Sequence, residues 1–543
     1  MPLLYIQSDL SLLLDADHPE SGAARFSIAQ FAELVKTPGP LHHYRVTALS
    51  LWNAAATGLS AAEIVSVLER YSEDTLPAAV RAQIEKYVGS YGCVWIEEAG
   101  DDCLALRSAD AALLSRLTRH SAIAPLLQQQ MDDHTWLFNA VFRGALKQSL
   151  VELQQPADDR ATYGDGAALT LALRDERVRL RDYQWEAIRR MHESGSGVVV
   201  LPCGAGKTVV GIGMIAAEQT NTLILAPGIT AARQWAAELL DKTTRQADEI
   251  GEYSGERKEI RPVTIATYQM LTHALQSMTH RRDLSLFALN DWGLIIYDEV
   301  HLLPAPVFRL TAAIQTTKRL GLTATLVRED HREGDVFALV GPTRYQAGWK
   351  VLERAGWIAE ARCYEVRVAL DTAARLAYVQ AGKMQQARIA GENAAKFDVV
   401  RRLVRRHEAD CVLVIGQYID QLERIAHSLR APLIRGATPN PVRTRLYEQF
   451  RRGEVRLLVV SKVANYAVDL PDANVAIQVS GTFGSRQEEA QRLGRILRPK
   501  ANHGQADFYS VVTQDTIEQR FAEKRQRFLV EQGYEYKIVH GKG

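Results

Sequence analysis

A chain of 543 residues has room for three or four domains at about 150 residues each, and 47% hydrophobic with 24% charged residues excludes a disordered or collagen-like polymer. With 65 Lys and Arg against 64 Asp and Glu, the formal net charge is +1, which rules out whole-chain attraction to a polyanion, so any nucleic-acid surface must be local. No apolar run reaches the roughly 18–20 residues that span a bilayer. The start of the chain carries Asp9, Asp15 and Asp17 where a signal peptide would carry Lys or Arg, and the five scattered cysteines contain no C-x-x-C. These features point to a cytoplasmic protein with reduced thiols and no disulfide framework, zinc ribbon or membrane partner.

Residues 1–115 are rich in Leu and Ala, with short helical patterns such as FSIAQFAELV and the stretch around Leu49, Leu51 and Trp52. His42, His43, Glu97, Glu98, Asp101 and Asp102 read as surface residues. Residues 116–176 form a mixed region ending in QQPADDRATYGDGA, whose Pro, Asp and Gly cluster as in a linker. From residue 177 short apolar runs alternate with helical patterns. They are Val198–Leu201, Thr222–Ala226, Val263–Ala266, Leu294–Tyr297 and Arg319–Leu322, then Cys363–Val368, Val412–Ile415, Leu457–Val460, Val475–Val479 and Phe508–Val512. Continuous apolar strands separated by helices predict parallel sheets covered on both faces. Two such series predict two tandem α/β lobes, at 177–345 and 346–543, split near 343–360. Residues 371–392 read as either a thumb-like insertion in the second lobe or an ordinary helix.

In such sheets ligands bind beyond the C-terminal ends of the strands. The first run leads into Pro202-Cys203-Gly204-Ala205-Gly206-Lys207-Thr208 and then a helical pattern. Small residues let backbone N–H groups wrap a phosphate at the positive end of a helix. Lys207 would reach the β- and γ-phosphates of ATP, and Thr208 would hold Mg²⁺. Leu201 stands where the longer form of this motif has its first Gly. A second apolar run delivers Asp298-Glu299-Val300-His301. Asp298 is placed to hold Mg²⁺ through water, and Glu299 to polarise the attacking water. His301 has no companion ligands and reads as a coupler between ATP and nucleic acid.

With Leu322-Thr323-Ala324-Thr325 added, these residues resemble superfamily 2 helicases, and more closely the XPB family of DNA repair and transcription helicases. The stretches VVVLPCGAGKT, DEVHLLPAPVFR, GLTATLVRED, SKVANYAVDLPDANVAIQVSG and GSRQEEAQRLGRILRPK carry the likeness over 180–535. VTALSLWNAAATG extends it, less specifically, to an XPB-like N-terminal domain, and residues 116–176 sit where archaeal relatives carry a damage-recognition domain. The resemblance implies two RecA-like lobes and a 3′-to-5′ DNA-dependent ATPase acting in repair. Gln184 would read the adenine edge. Thr323 and Thr325 would link hydrolysis to lobe movement, and Arg328, Glu329 and Asp330 match an element associated with DNA opening. Thr267, Tyr268, Ser461 and Lys462 match strand-contacting motifs, and Asp469 and Gln491 lie in nucleotide-proximal motifs. Arg492, Arg495 and Arg498 recur at helical spacing. The resemblance makes Arg495 and Arg498 arginine fingers, each able to supply about 10³–10⁵ in rate.

Grips on the phosphate backbone read no sequence. The alternatives are a double-strand DNA translocase and an ATP-switched DNA clamp that recruits a nuclease. No residue excludes RNA. An endonuclease or other repair partner would dock through the N-terminal region, and oligomeric state is not legible.

Overall fold

The structure, a computed structural model, describes residues 3–36, 40–100, 102–162, 164–270, 291–303, 317–324, 333–461, 473–481, 505–531, 534 and 536–541. The chain divides into two compact units. One comprises 1–33, 40–201 and 206–347; the other comprises 348–543 with the short pieces 34–39 and 202–205.

The first unit opens with antiparallel strands Leu4–Ile6, Ser11–Asp15 and Leu41–Arg45. Alternation buries Leu12 and Leu14 on one face. The same period places His42 inside, at 5% exposure, so the surface reading of this residue is corrected. Burial, followed by the charge of Arg25, pushes its imidazole down to about 4. Helices Ala48–Ala56, Ala61–Tyr71 and Ala78–Ser90 follow. Thr47 and Ser60 start the first two with capping boxes, which satisfy otherwise orphaned first-turn N–H groups.

A five-stranded sheet comes next, in the spatial order Leu127–Asp132, Thr135–Asn139, Cys103–Ser108, Val94–Gly100, Ala157–Asp159. Residue 115 falls inside helix Ala111–Thr118, whose Leu114 and Leu117 join the core of this sheet. The layer therefore runs across the boundary expected at 115. Beside it Asp159 accepts from both Arg143 and Lys147, and all three side chains are nearly inaccessible.

The N-terminal helices are seated on the first lobe. The Trp52 and Tyr91 rings lie 6.2 and 6.3 Å from that of Phe337. Asn53 Oδ1 accepts from Thr343 N at 3.0 Å, and Gln148 Nε2 donates to Asp335 Oδ1 at 2.7 Å. Of the stretch read as a linker, 154–167, Ala157–Asp159 pairs as a strand with Val94–Gly100, and its end runs on through Leu171 as a strap laid along the N-terminal side of the lobe. Ala167 N donates to Asp291 O, Asn221 N to Ala167 O and Leu169 N to Gln219 O, each within 2.9 Å, and Leu169 and Leu171 are buried.

The first lobe is a seven-stranded parallel sheet. Its spatial order is Ile250–Tyr253, Val263–Thr267, Thr222–Ala226, Leu294–Asp298, Lys318–Thr323, Ser196–Val200, Thr343–Gln346. The second unit carries another, ordered Leu433–Ile434, Leu457–Ser461, Val412–Gly416, Val475–Gln478, Ala506–Thr513, Ala361–Val368, Tyr536–His540. Numbered along the chain within each lobe, both orders read 3-4-2-5-6-1-7. The interior strands are almost wholly buried, as sheets covered on both faces require. Residues 371–392 form two helices, Thr372–Gln380 and Lys383–Gly391.

Candidate active site at the edge of the first lobe

The strand Ser196–Val200 ends against Thr323, whose carbonyl accepts from Leu201 N at 3.0 Å. The chain then turns, with Ala205 N donating to Pro202 O at 3.1 Å, and Gly204 and Gly206 both take φ 82°. A Cβ on Gly206 would be strained by that angle and would come within 2.5 Å of Gln184 Nε2. Gly206 leads directly into helix Lys207–Glu218 and supplies no side-chain cap, so the first N–H groups of that helix are left for a ligand. Gln184, 3% exposed, holds Arg181 N through Oε1 at 3.0 Å, which fixes its amide beside the loop.

The fifth strand brings the acids. Lys207 Nζ lies 3.4 Å from Glu299 Oε1. Glu299 itself sits in the left-handed region at φ 50°, a conformation that costs a non-glycine residue about 1–3 kcal/mol and is concentrated at functional sites. His301 is buried, shares a 2.7 Å hydrogen bond with Thr323 Oγ1 through Nδ1, and lies 3.5 Å from Glu299 Oε2. Thr323 ends the neighbouring strand, so Glu299, His301 and Thr323 form one connected row.

Asp298 is held from two sides. Trp235 Nε1 donates to its Oδ2 at 3.1 Å, and Tyr268 Oη donates to its backbone carbonyl at 2.7 Å. Burial, then the adjacent Glu299 charge, pushes its carboxyl up to about 6. Burial also pushes Glu299 upward, but Lys207 and His301 outweigh it and its carboxyl ends below the usual range.

Among the described residues two buried carboxylates thus face the Lys207 ammonium and the His301 ring, an acidic pocket that a divalent cation would suit. Glu299 Oε2 accepts no hydrogen bond. Among the described residues no cluster of three or more His, Cys, Asp and Glu could hold a metal on its own. The fit is to a cation that brings water and phosphate oxygens with it, the habit of Mg²⁺. Asp298 and Thr208 are the residues here that would hold it.

Gly204, Ala205 and Gly206 lie on the loop leaving one strand, Lys207 and Thr208 at the start of the helix it feeds, Asp298, Glu299, His301 and Thr323 at or just past the ends of the neighbouring strands, and Gln184 on helix Asp182–Ser194 beside Gly206. Thr267 and Tyr268 are buried at 2% and 4% exposure, and the Tyr268 hydroxyl is committed to the acid strand. Ser461 is buried at the end of its strand in the second lobe. Thr325, Arg328, Glu329, Asp330, Lys462, Asp469, Gln491, Arg492, Arg495 and Arg498 lie outside the described residues. Sequence reasoning missed Trp235. It lies on helix Ile229–Lys242 with 2% exposure, where an indole reads as core. A signal was nonetheless present in Gly211: a Cβ there would meet the Trp235 ring at 2.5 Å, so the helix must stay bare for the indole to reach Asp298.

Comparison with known proteins places this geometry in context. Residues 352–542 match the model described as ERCC3/RAD25/XPB C-terminal helicase, and residues 177–328 that of the type III restriction enzyme res subunit. Residues 4–132 match one described as helicase conserved C-terminal domain. The chain is 52% identical over 536 residues to the DNA 3′-5′ helicase XPB of Kineococcus radiotolerans, covering 99% of this chain and 96% of that one. It is 52% identical over 535 residues to the protein of the same name from Mycobacterium tuberculosis, covering 98% and 97%. It is also 31% identical over 563 residues to the transcription and DNA repair factor IIH helicase/translocase subunit XPB of Encephalitozoon cuniculi, covering 99% and 82%.

Proposed function

Because the chain belongs to the XPB family of helicases, we propose that it is an ATP-dependent 3′-5′ DNA helicase or translocase that couples ATP hydrolysis to duplex opening in DNA repair. The observation that carries this is the row Lys207–Glu299–His301–Thr323 beside Asp298, at the end of a parallel sheet that also opens an uncapped helix N-terminus. Bound Mg²⁺–ATP would supply the leaving group and the charge that polarises the phosphoryl centre. Gly204, Gly206 and the first turn of helix Lys207–Glu218 would cradle the phosphates, and Lys207 would neutralise them. Withdrawing Lys207 toward phosphate frees Glu299 to orient and deprotonate the attacking water. His301 and Thr323, tied to Glu299, then sense its state and pass it along the sixth strand. Arg495 and Arg498 are the proposed source of the second cationic contribution.

The deciding measurement is ATP turnover with and without single-stranded DNA, for the wild type and Lys207→Ala. DNA should stimulate the wild type, and the variant should lose at least about 10²-fold, the loss seen when one charge-stabilising donor is removed. A wild type indifferent to DNA would sink the motor reading. Strand displacement on a 3′-tailed duplex separates helicase from double-strand translocase. The chain carries no nuclease motif, so the proposal includes an endonuclease partner docking through the N-terminal region, in the cytoplasm.

A further inference from the structure

Away from the ATP site, helix Ala78–Ser90, helix Ala111–Thr118 and the turn after helix Arg143–Glu152 enclose a cleft of about 370 Å³. Its lining includes Lys86 and Tyr87 from the first helix, Arg116 from the second, His120 just past its end and Gln155 from the turn, with Leu117 and Leu153 as the aliphatic part. No carboxylate lines it. Several cations of this region are matched with acids: Arg81 with Glu69, Arg107 with Glu97, Arg143 and Lys147 with Asp159, and Arg160 with Asp158. Among the described residues Lys86 and Arg116 have no acid partner, a lack that Arg70 and Arg119 share, but only Lys86 and Arg116 line this one cleft. His120 Nδ1 accepts from Ala122 N at 3.3 Å, which leaves Nε2 as the N–H donor. Lys86 Nζ lies 5.8 Å from the centroid of the Tyr87 ring. An ammonium and a guanidinium beside an aromatic ring in a cleft without carboxylates are the ingredients of a single-strand nucleic-acid contact: phosphate to the cations, base to the ring.

We propose that this cleft is an accessory nucleic-acid site that takes one nucleotide unit of a DNA strand, with its phosphate between Lys86 and Arg116. The proposal rests on the reading of the chain as a DNA motor, which makes a DNA strand rather than an acidic peptide the occupant. The wall of the cleft is fixed to the motor. Ser90 Oγ accepts from Trp52 Nε1 at 3.0 Å and donates to Tyr87 O at 2.7 Å. Trp52 and Tyr91 both pack on Phe337 of helix Glu333–Leu339 in the first lobe. A strand held in the cleft is therefore held relative to that lobe and follows it through each cycle.

The test is fluorescence anisotropy of a labelled single strand titrated with the full-length protein across a salt series. Lys86→Glu with Arg116→Glu should weaken binding about tenfold near 0.1 M salt and lower the slope of log affinity against log salt by about two. Arg70→Glu with Arg107→Glu makes the same charge change outside the cleft and should leave affinity within about twofold. Equal weakening by both pairs, or none by the first, would overturn the site. Competition by inorganic phosphate at matched ionic strength would overturn it too, by making the cleft a small-anion pocket. ATP turnover at saturating DNA should survive in the cleft variant. Absence of DNA stimulation in the wild type would instead count against the motor reading, and the binding comparison would still decide the cleft.

Discussion

The two parallel sheets have one topology and opposite endowments at their C-terminal edges. In the first lobe the opening strand runs into a glycine loop, and its helix starts at Gly206 with no side-chain cap. In the second the opening strand runs to Asp371, whose carboxylate accepts from Ala374 N at 2.8 Å and caps helix Thr372–Gln380. The helix dipole attracts an anion in both cases; one lobe leaves that place to a ligand and the other fills it from its own chain. The fifth strands diverge as well. One ends in Asp298 and the next residue is Glu299, while its counterpart ends in Gln478, an amide that titrates nowhere. The fourth strands end in the hydroxyls of Thr267 and Ser461, and the sixth in those of Thr323 and Thr513. Among the described residues a shared scaffold thus carries the phosphate loop and the acid pair on one copy, and the difference lies in the few residues just past the strands.

The largest expected effect comes from removing the base. Glu299→Gln should lower ATP turnover by about 10²–10⁴, whereas Gln478→Met, at the end of the matching strand, should leave turnover within about twofold. A comparable loss from the second change would break the asymmetry. Protonation offers the next contrast. The Asp298 carboxyl is raised to about 6, so the folded protein holds that proton more tightly than the unfolded chain, whose Asp titrates near about 3.9. The associated stability is therefore full below about 4 and is lost as pH rises through about 6. In protein free of Mg²⁺ and nucleotide, Asp298→Asn should flatten thermal stability across that window. An unchanged pH profile would mean that Asp298 does not titrate there.

Trp235→Phe deletes the donor to Asp298 together with the far ring atoms that reach Gly211. A hydrogen bond to a charged group is worth about 1.5–3 kcal/mol. Half-saturating Mg²⁺ for turnover should therefore rise about tenfold, beside a melting loss from the cavity left by the smaller ring. A melting loss without a shift in Mg²⁺ dependence would make the indole a packing residue only. The smallest effect belongs to the self-capped helix. Asp371→Ala should cost about 1 kcal/mol of stability, read by denaturant unfolding, and should not touch nucleotide binding.

Much of this was legible in the sequence because buried parallel strands are continuous apolar runs. All ten such runs became strands, with ends moved by at most two residues. The four strands of these sheets that went unread are Ile250–Tyr253, Thr343–Gln346, Leu433–Ile434 and Tyr536–His540, the outermost strand on each side of each sheet. Edge strands are short and partly wet, so TRYQ and YKIVH lack the run that marks their neighbours. The acids and the phosphate loop were readable because their chemistry fixes both residue type and position. Trp235 was not, since an indole donating to a carboxylate looks in sequence like any core aromatic. His42 was misjudged because strand alternation, not polarity, set its side. The linker was misjudged because Gly and Asp mark a turn without saying what the turn packs against.

That strap has a practical consequence. A shortened protein starting at residue 177, where the motor motifs suggest a clean cut, would leave Gln219 O unbonded, together with Asn221 N and the carbonyl of Asp291, and would bare the surface that Leu169 and Leu171 cover. Such a fragment should be recovered poorly, and one starting near residue 160 should behave better, because the motor's first lobe wears part of its neighbour as a hem.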